Sequence, residues 1–311
     1  MLWFQNSAKL MTSPNSAWER AVSRVVREET VFIWVVSIWL FTIFYFDPRI
    51  LALLSAKAGI LGKLSVIAFV LCLNYLWFLT IYFVVVIFVS NWLRRREPAD
   101  TPLPSLKEFP AVAVLYPTRN DFREDAAENL LRMDYLDYKM FVLDDSTLGE
   151  YQKRIDAWAA RHEGRVAVIR RTLHQGYKAG NVNHGLRLIK NKYPYFAICD
   201  NDGFFPPNFI RDLLPYFEAD PALAFVQTAQ HGNPDQPEYF AQAMGVNVAI
   251  HFRHYVRARQ SYGFVMFYGH GALMKTSVWE QAGGFPEIVT EDLSYSALIR
   301  TMGYHGRYTE K

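Results

Sequence analysis

Tyr195-Phe196-Ala197-Ile198-Cys199-Asp200-Asn201-Asp202 is a short apolar run that stops on two aspartates one residue apart. A buried strand has this pattern: a few consecutive apolar side chains, then polar turn formers. Four comparable runs, 111–116, 139–143, 166–170 and 223–227, lie on either side of it. Between them, stretches near 123–133, 149–162, 178–190 and 207–218 read as helices. Strands alternating with helices predict an α/β domain, a mostly parallel sheet flanked by helices on both faces. Such sheets bind ligands beyond the carboxyl ends of their strands, so the residues just after each strand are the candidate site.

Those residues are strongly acidic. Pro117-Thr118-Arg119-Asn120-Asp121 follows the first strand, Asp144-Asp145-Ser146-Thr147 the second, and Asp200-Asn201-Asp202 the fourth. Ile288-Val289-Thr290-Glu291-Asp292 leads into a further helical stretch. Carboxylates gathered at one edge need a cation or hydrogen-bond donors to offset their repulsion. Each cluster also has a plainer reading, since Asp and Ser cap helix N-termini and suit the helix dipole. Asp145, Ser146 and Asp292 are all candidates for that duty. Asp200 and Asp202 are not, because the next helix is expected to start at Pro206-Pro207, a position that favours proline. Two carboxylates on a loop can instead face Mg2+ or Mn2+, which bind through one or two carboxylates plus substrate phosphates.

Gln175-Gly176-Tyr177-Lys178-Ala179-Gly180-Asn181-Val182-Asn183 lacks the spacing of an ATPase P-loop. It still joins a lysine, two glycines and a helix start, which can hold a phosphate; the alternative is a solvent-facing lysine. His251 and His254 have no Glu or Cys partner at zinc spacing and read as ordinary helix residues. Phe264, Phe267 and Tyr268 are either sugar-stacking aromatics or core.

Upstream of the sheet domain, residues 30–46 and 64–93 form uncharged apolar runs of 17 and 30 residues. Both are long enough for a membrane span, which excludes an ordinary cytosolic enzyme. A cleaved signal peptide fits poorly, because the first run starts behind a polar, mixed-charge leader. With no charge inside either run, a transporter without chemistry is disfavoured as well. Lys9, Arg20, Arg24 and Arg27 precede the first run and Arg94, Arg95 and Arg96 end the second, against Arg49, Lys57 and Lys63 between them. The positive-inside rule therefore puts residues 1–29 and everything after 96 in the cytoplasm. Trp18, Val22, Val25 and Val26 share one helical face within 1–29, fitting an interfacial helix or a plain solvated one. Residues 30–96 are two transmembrane helices with a short hairpin, 97–109 a proline-rich linker, and 110–311 the soluble domain. A net charge of +3 gives no case for nucleic acid, and Cys72 and Cys199 cannot plausibly pair, which agrees with a reducing compartment.

In their order along the chain, Pro117-Thr118, Asp144-Asp145, Lys178-Ala179-Gly180-Asn181, Asp200-Asn201-Asp202, Val226-Gln227-Thr228 and Thr290-Glu291-Asp292 resemble the processive family-2 glycosyltransferases. The resemblance is to their cellulose-synthase-like branch, of the bacterial β-glucan synthase type. It covers about residues 110–311 and implies a GT-A-like domain behind two spans. By the same resemblance Thr118, Asp144, Asp145, Lys178 and Asp200 bind the UDP-sugar, with Lys178 on the diphosphate. Asp200 and Asp202 hold a divalent metal, Asp292 is the general base, and Glu291 sits beside the acceptor. Phe267-Tyr268-Gly269-His270 corresponds to a loop near the acceptor, where many members have Ser in place of His270.

The implied activity is inverting transfer of glucose from UDP-glucose to a β-glucan acceptor, coupled to export. It would take place at the inner (plasma) membrane, in a multi-pass protein with its catalytic domain in the cytoplasm and with accessory subunits for export. A UDP-N-acetylglucosamine polymerase and single-sugar transfer to a lipid are the near alternatives. The chain ends at Lys311, 19 residues after Asp292, without the family's Gln-x-x-Arg-Trp motif. It therefore reads as part of a longer enzyme, and a non-catalytic nucleotide-binding or scaffold subunit is the alternative of a different class.

Overall fold

The computed structural model of the protein describes residues 28–55, 59–96, 103–106, 108–233 and 237–310. The interfacial helix read over Trp18–Val26 and most of the linker fall outside them. The chain divides into two compact units. Of the described residues, 28–96 and 250–263 form the helical one; the other, 103–249 and 264–310, holds the sheet.

In the helical unit, α1 (Glu28–Ser55) and α2 (Ile60–Arg96) are long and apolar enough to cross a membrane over Glu29–Ala52 and Ile60–Arg95. Only 11% and 17% of their most apolar stretches are buried, where a core helix of a soluble protein would be mostly enclosed. One correction follows. The uncharged run ends at Phe46, but α1 continues through Asp47, Pro48 and Arg49, so charge does lie within the first candidate span. Asp47 is not isolated: its Oδ2 accepts a bond from Asn74 Nδ2 at 2.7 Å, and Trp39 Nε1 donates to the Asn74 carbonyl at 2.9 Å. Val31, Val35, Val86 and Val89 pack with Ala258 and Tyr262 in this unit's core. The last two belong to 250–263, a stretch counted with the soluble domain from sequence.

The sheet unit carries β1 (Val112–Thr118), α3 (Glu124–Leu130), β2 (Tyr138–Asp144), α4 (Gly149–Ala160) and β3 (Val166–Arg170). Next come α5 (Tyr177–Ile189), β4 (Tyr195–Ile198), α6 (Phe209–Ala219), β5 (Leu223–Thr228) and α7 (Tyr239–Ile250). After a π-helical turn (His251–Val256) and α8 (Arg257–Tyr262) in the helical unit, β6 (Ala272–Lys275), α9 (Thr276–Gln281), α10 (Glu291–Thr301) and β7 (His305–Thr309) complete the fold. Seven strands run in the order β3-β2-β1-β4-β6-β5-β7. Only β6 is antiparallel to its neighbours, pairing Ile198 with Ala272 and Gln227 with Ala272. All five expected strands are present, β3 with the expected ends and the others with ends shifted by at most two residues. The helix placed at Pro206-Pro207 starts later, at Phe209, with both prolines in the preceding turn.

Burial explains why the central strands read as unbroken apolar runs. Helices cover both faces of a parallel sheet, so Val112–Tyr116 on β1 and Met140–Asp144 on β2 are enclosed without a break. One face packs Val112, Val114, Ile155, Trp158, Leu213 and Phe217 into the main core. The parallel register then sets out the site. Thr118 pairs with Asp144 and Asp144 with Arg170, so three strands end side by side on one edge. Cys199 N–H donates to the Leu115 carbonyl at 3.0 Å, which brings Asp200 and Asp202 out at that same edge.

Candidate active site

At the left of this edge the acids are neutralised by arginines that sequence inspection passed over. Asp144 has a fully enclosed side chain; its Oδ2 accepts from Arg170 Nε at 2.6 Å and its Oδ1 from the Ser146 N–H at 2.9 Å. Asp145 receives both Nε (2.8 Å) and Nη2 of Arg171, with the two side chains 7% and 8% exposed. A planar guanidinium meets a carboxylate in this two-point way, and such charge-assisted pairs are the strong ones. The capping reading of Asp145 and Ser146 is therefore corrected: Leu148 precedes α4 without a side-chain cap bond. Thr118 Oγ1 donates to Asp121 at 2.7 Å. Asn120, at a φ of 59°, accepts from the Thr147 and Leu148 N–H groups at 2.9 and 3.0 Å, tying the first two strand-end loops together.

Arg171 also reaches the loop before α5, donating to the carbonyls of Gln175 and Tyr177. That loop turns through two successive positive φ angles, 73° at Gly176 and 53° at Tyr177. It needs glycine at 180, because a Cβ there would overlap the Gln175 carbonyl oxygen. From this turn α5 sends three side chains to three different places. Lys178 Nζ pairs with Asp200 and donates to the Gly269 carbonyl at 3.0 Å. Asn181 Nδ2 donates to the Leu143 carbonyl at 2.8 Å, beside Asp144. Asn183, almost fully buried, binds the N–H and the carbonyl of Phe285, both at 2.8 Å, in the segment leading to Glu291 and Asp292. Lys178 is thus engaged at the acidic edge and is not a free solvent-facing lysine.

Glu291 and Asp292 form the first turn of α10, where the helix dipole favours negative charge. Asp292 Oδ1 accepts the N–H of its neighbour Leu293 at 2.7 Å, but the capping reading of Asp292 is corrected: Thr290 precedes α10, without a side-chain cap bond, and Asp292 lies inside the helix. Its other oxygen faces the Lys178 side: a methyl group placed on Gly269 would lie 3.8 Å from Lys178 Nζ and 4.0 Å from Asp292 Oδ2. Burial pushes the Glu291 carboxyl above its ordinary value, the nearby Lys178 opposes this, and the Asp292 and Asp200 charges add to it. Lys178, Ala179, Val182, Gly269, Phe285 and Glu291 line a small, partly open cleft here. Of the acceptor-loop residues, Phe267 turns its ring into the core against Phe225 and Phe285. Burial holds the His270 imidazole below its ordinary pKa and so favours its neutral form.

Asp200 and Asp202 flank a tight turn closed by the Gly203 N–H on the Asp200 carbonyl at 2.9 Å. Among the described residues no three His, Cys, Asp or Glu side chains converge. The pair suits a hard divalent ion that draws its remaining ligands from phosphate oxygens and water. His251 and His254 lie on the π-helical turn, His251 stacked on Tyr255.

Residues 117–283 match the model of Glycosyl transferase family 2. The chain is 27% identical over 255 residues to Cellulose synthase 2 of Novacetimonas hansenii, covering 76% of this chain and 14% of that protein. It is 25% identical over 165 residues to Glucans biosynthesis glucosyltransferase H of Cereibacter sphaeroides, covering 48% of this chain and 27% of that one. It therefore spans well under a third of either relative. Among solved structures it resembles the mannosyltransferase PcManGT from Pyrobaculum calidifontis in complex with GDP-Man and Mn2+. The TM-score is 0.56 at 23% identity, over 75% of this chain and 65% of that one, a likeness of fold. With the family model matched across more than half of its length, the chain belongs to glycosyl transferase family 2.

Proposed function

We propose that the protein transfers glucose from UDP-glucose to a growing β-glucan, with inversion at the anomeric carbon. The observation that carries this is the placing of Lys178, Asp200, Gly269 and Asp292 together: a cation suited to a diphosphate and a carboxylate suited to a hydroxyl proton both lie within about 4 Å of one point beside Gly269. The acceptor hydroxyl oxygen bonds to the anomeric carbon as the bond from that carbon to the diphosphate oxygen breaks. Asp292 takes the hydroxyl proton as attack proceeds, because an alcohol is far too weak an acid to lose it unaided. The bonding electrons leave on UDP, and Lys178 stabilises the charge that develops there.

Asp200 and Asp202 would hold the divalent ion, which when bound supplies further neutralisation of the diphosphate. Thr118 and Asp145 lie at the uridine end, with Asp144 enclosed behind them and Arg170 and Arg171 fixing both carboxylates. Tyr268, Gly269 and His270 form the acceptor side, beside Glu291. The relatives named above, a cellulose synthase and a glucans glucosyltransferase, favour a glucan product, and the GDP-Man and Mn2+ of the mannosyltransferase favour a metal-assisted nucleotide sugar. In this reading α1 and α2 cross the plasma membrane and residues 110–311 work in the cytoplasm, where the donor is made.

The test is UDP release by the membrane-reconstituted protein with a panel of UDP-sugars and Mg2+ or Mn2+, followed by product sizing. A polymer from UDP-glucose supports the reading. A polymer from UDP-N-acetylglucosamine, or transfer of one sugar to lipid, replaces it.

A further inference from the structure

Gln227 is a polar side chain with no exposure at all, at the end of β5 behind Phe225 and Val226. A buried amide is costly unless its donors and acceptor are satisfied, so where its bonds go shows what it is for. Apart from a longer bond of 3.3 Å from Nε2 to the neighbouring Thr228 carbonyl, they go to one place. Oε1 accepts the Tyr268 N–H at 3.0 Å, and Nε2 donates to the carbonyls of His270 and Gly271, each at 3.0 Å. Thr228 Oγ1 adds a bond to the Gly271 carbonyl at 2.9 Å. The turn held in this way passes through Gly269 and Gly271 at φ of 79° and 67°, which only glycine adopts without strain. Between its two anchored ends is the Gly269 carbonyl that receives Lys178. On the far side the Phe267 N–H donates to Ser296 Oγ at 2.9 Å, and that hydroxyl donates to the Asp292 carbonyl at 2.6 Å.

We propose that Gln227 is a positioning residue that fixes the Tyr268–Gly271 turn and, through the Gly269 carbonyl, aims the Lys178 ammonium at the nucleotide's diphosphate. It touches neither donor nor acceptor. The proposal rests on the glycosyltransferase reading and adds to it a means of setting diphosphate affinity from beneath the site.

The experiment measures binding of UDP and of UMP, with Mn2+ present, to the intact protein and to Gln227→Met, Lys178→Ala and the double variant. Gln227→Met is expected to weaken UDP about 10-fold or more, the size of one lost charge-assisted contact, and UMP by less than about 2-fold. In the Lys178→Ala background it should produce no further loss, because its effect runs through that ammonium. Thr228→Val, which removes one bond to the same turn with little change of shape, should show the same preference more weakly and covers a failure of Gln227→Met to fold. Equal weakening of UDP and UMP, or additive losses in the double variant, would overturn the proposal. If the wild-type protein binds neither nucleotide, the glycosyltransferase reading itself falls, and this inference with it.

Discussion

Arg171 holds Asp145 by two parallel N–H contacts, one of 2.8 Å from Nε, with both side chains more than nine-tenths enclosed. The same guanidinium pins the loop from which Lys178 emerges. One side chain thereby joins the uridine end of the proposed site to its diphosphate end. Arg171→Ala leaves a buried carboxylate without its partner, a change that costs about 3–5 kcal/mol. A clear fall in the melting midpoint of the detergent-solubilised protein is expected. Replacing both partners, as Arg171→Met with Asp145→Leu, should recover much of it, because an apolar pair leaves no charge stranded.

Glu291 gives a pH signature. Its carboxyl is raised by burial, so the native state holds the proton more tightly than the unfolded chain does. Ionised Glu291 is therefore a burden on the fold, absent below the unfolded value near 4.5 and growing as pH rises through the raised native value. Glu291→Gln should raise the melting midpoint at pH 7–8, and the gain should vanish near pH 4. An equal gain at both pH values would contradict the burial account.

Two glycines should respond with opposite sign. Gly180→Ala drives a methyl into the Gln175 carbonyl, backbone that cannot swing aside, and should cost about 1–3 kcal/mol. Gly149→Ala, at the start of α4, meets nothing within 4 Å and should gain up to about 1 kcal/mol from helix propensity. Melting of the two variants side by side checks the turn that precedes Lys178.

Asp202→Asn should leave the apo melting midpoint almost unchanged, since Asp202 is exposed and makes no hydrogen bond or ion pair among the described residues. It should nonetheless weaken Mn2+-dependent UDP binding by about 10-fold or more, as calorimetry with and without metal would show. Asp200→Asn should do the same and also free Lys178 from a pair whose side chains are about 30% exposed, worth at most about 1 kcal/mol to the fold.

Much of this is legible in the amino-acid sequence. Four of the five strands with apolar runs showed themselves because double-sided burial removes polar alternation, while β3, at the sheet edge, is mostly half-buried; parallel order then brings Thr118, Asp144 and Asp200 to one edge. What escaped notice had weak local signals. β6 offers only Ala272, Leu273 and Met274 before Lys275, and β7 is largely polar; both are held by neighbours distant in sequence. Arg170 and Arg171 look like the polar close of a strand until the register sets Arg170 beside Asp144. Gln227 was visible as one letter of a motif, but its task depends on a turn more than 40 residues later.

The most direct test compares UDP release from UDP-glucose by the wild-type protein and by Asp292→Asn, with UDP binding measured on both. Asp292→Asn should bind UDP as the wild type does and turn over about 10²–10⁴-fold more slowly, the usual worth of a positioned general base. Turnover by Asp292→Asn at the wild-type rate would contradict the assignment of the base, and with it the claim that the Lys178–Asp200–Gly269–Asp292 cluster is a single catalytic centre.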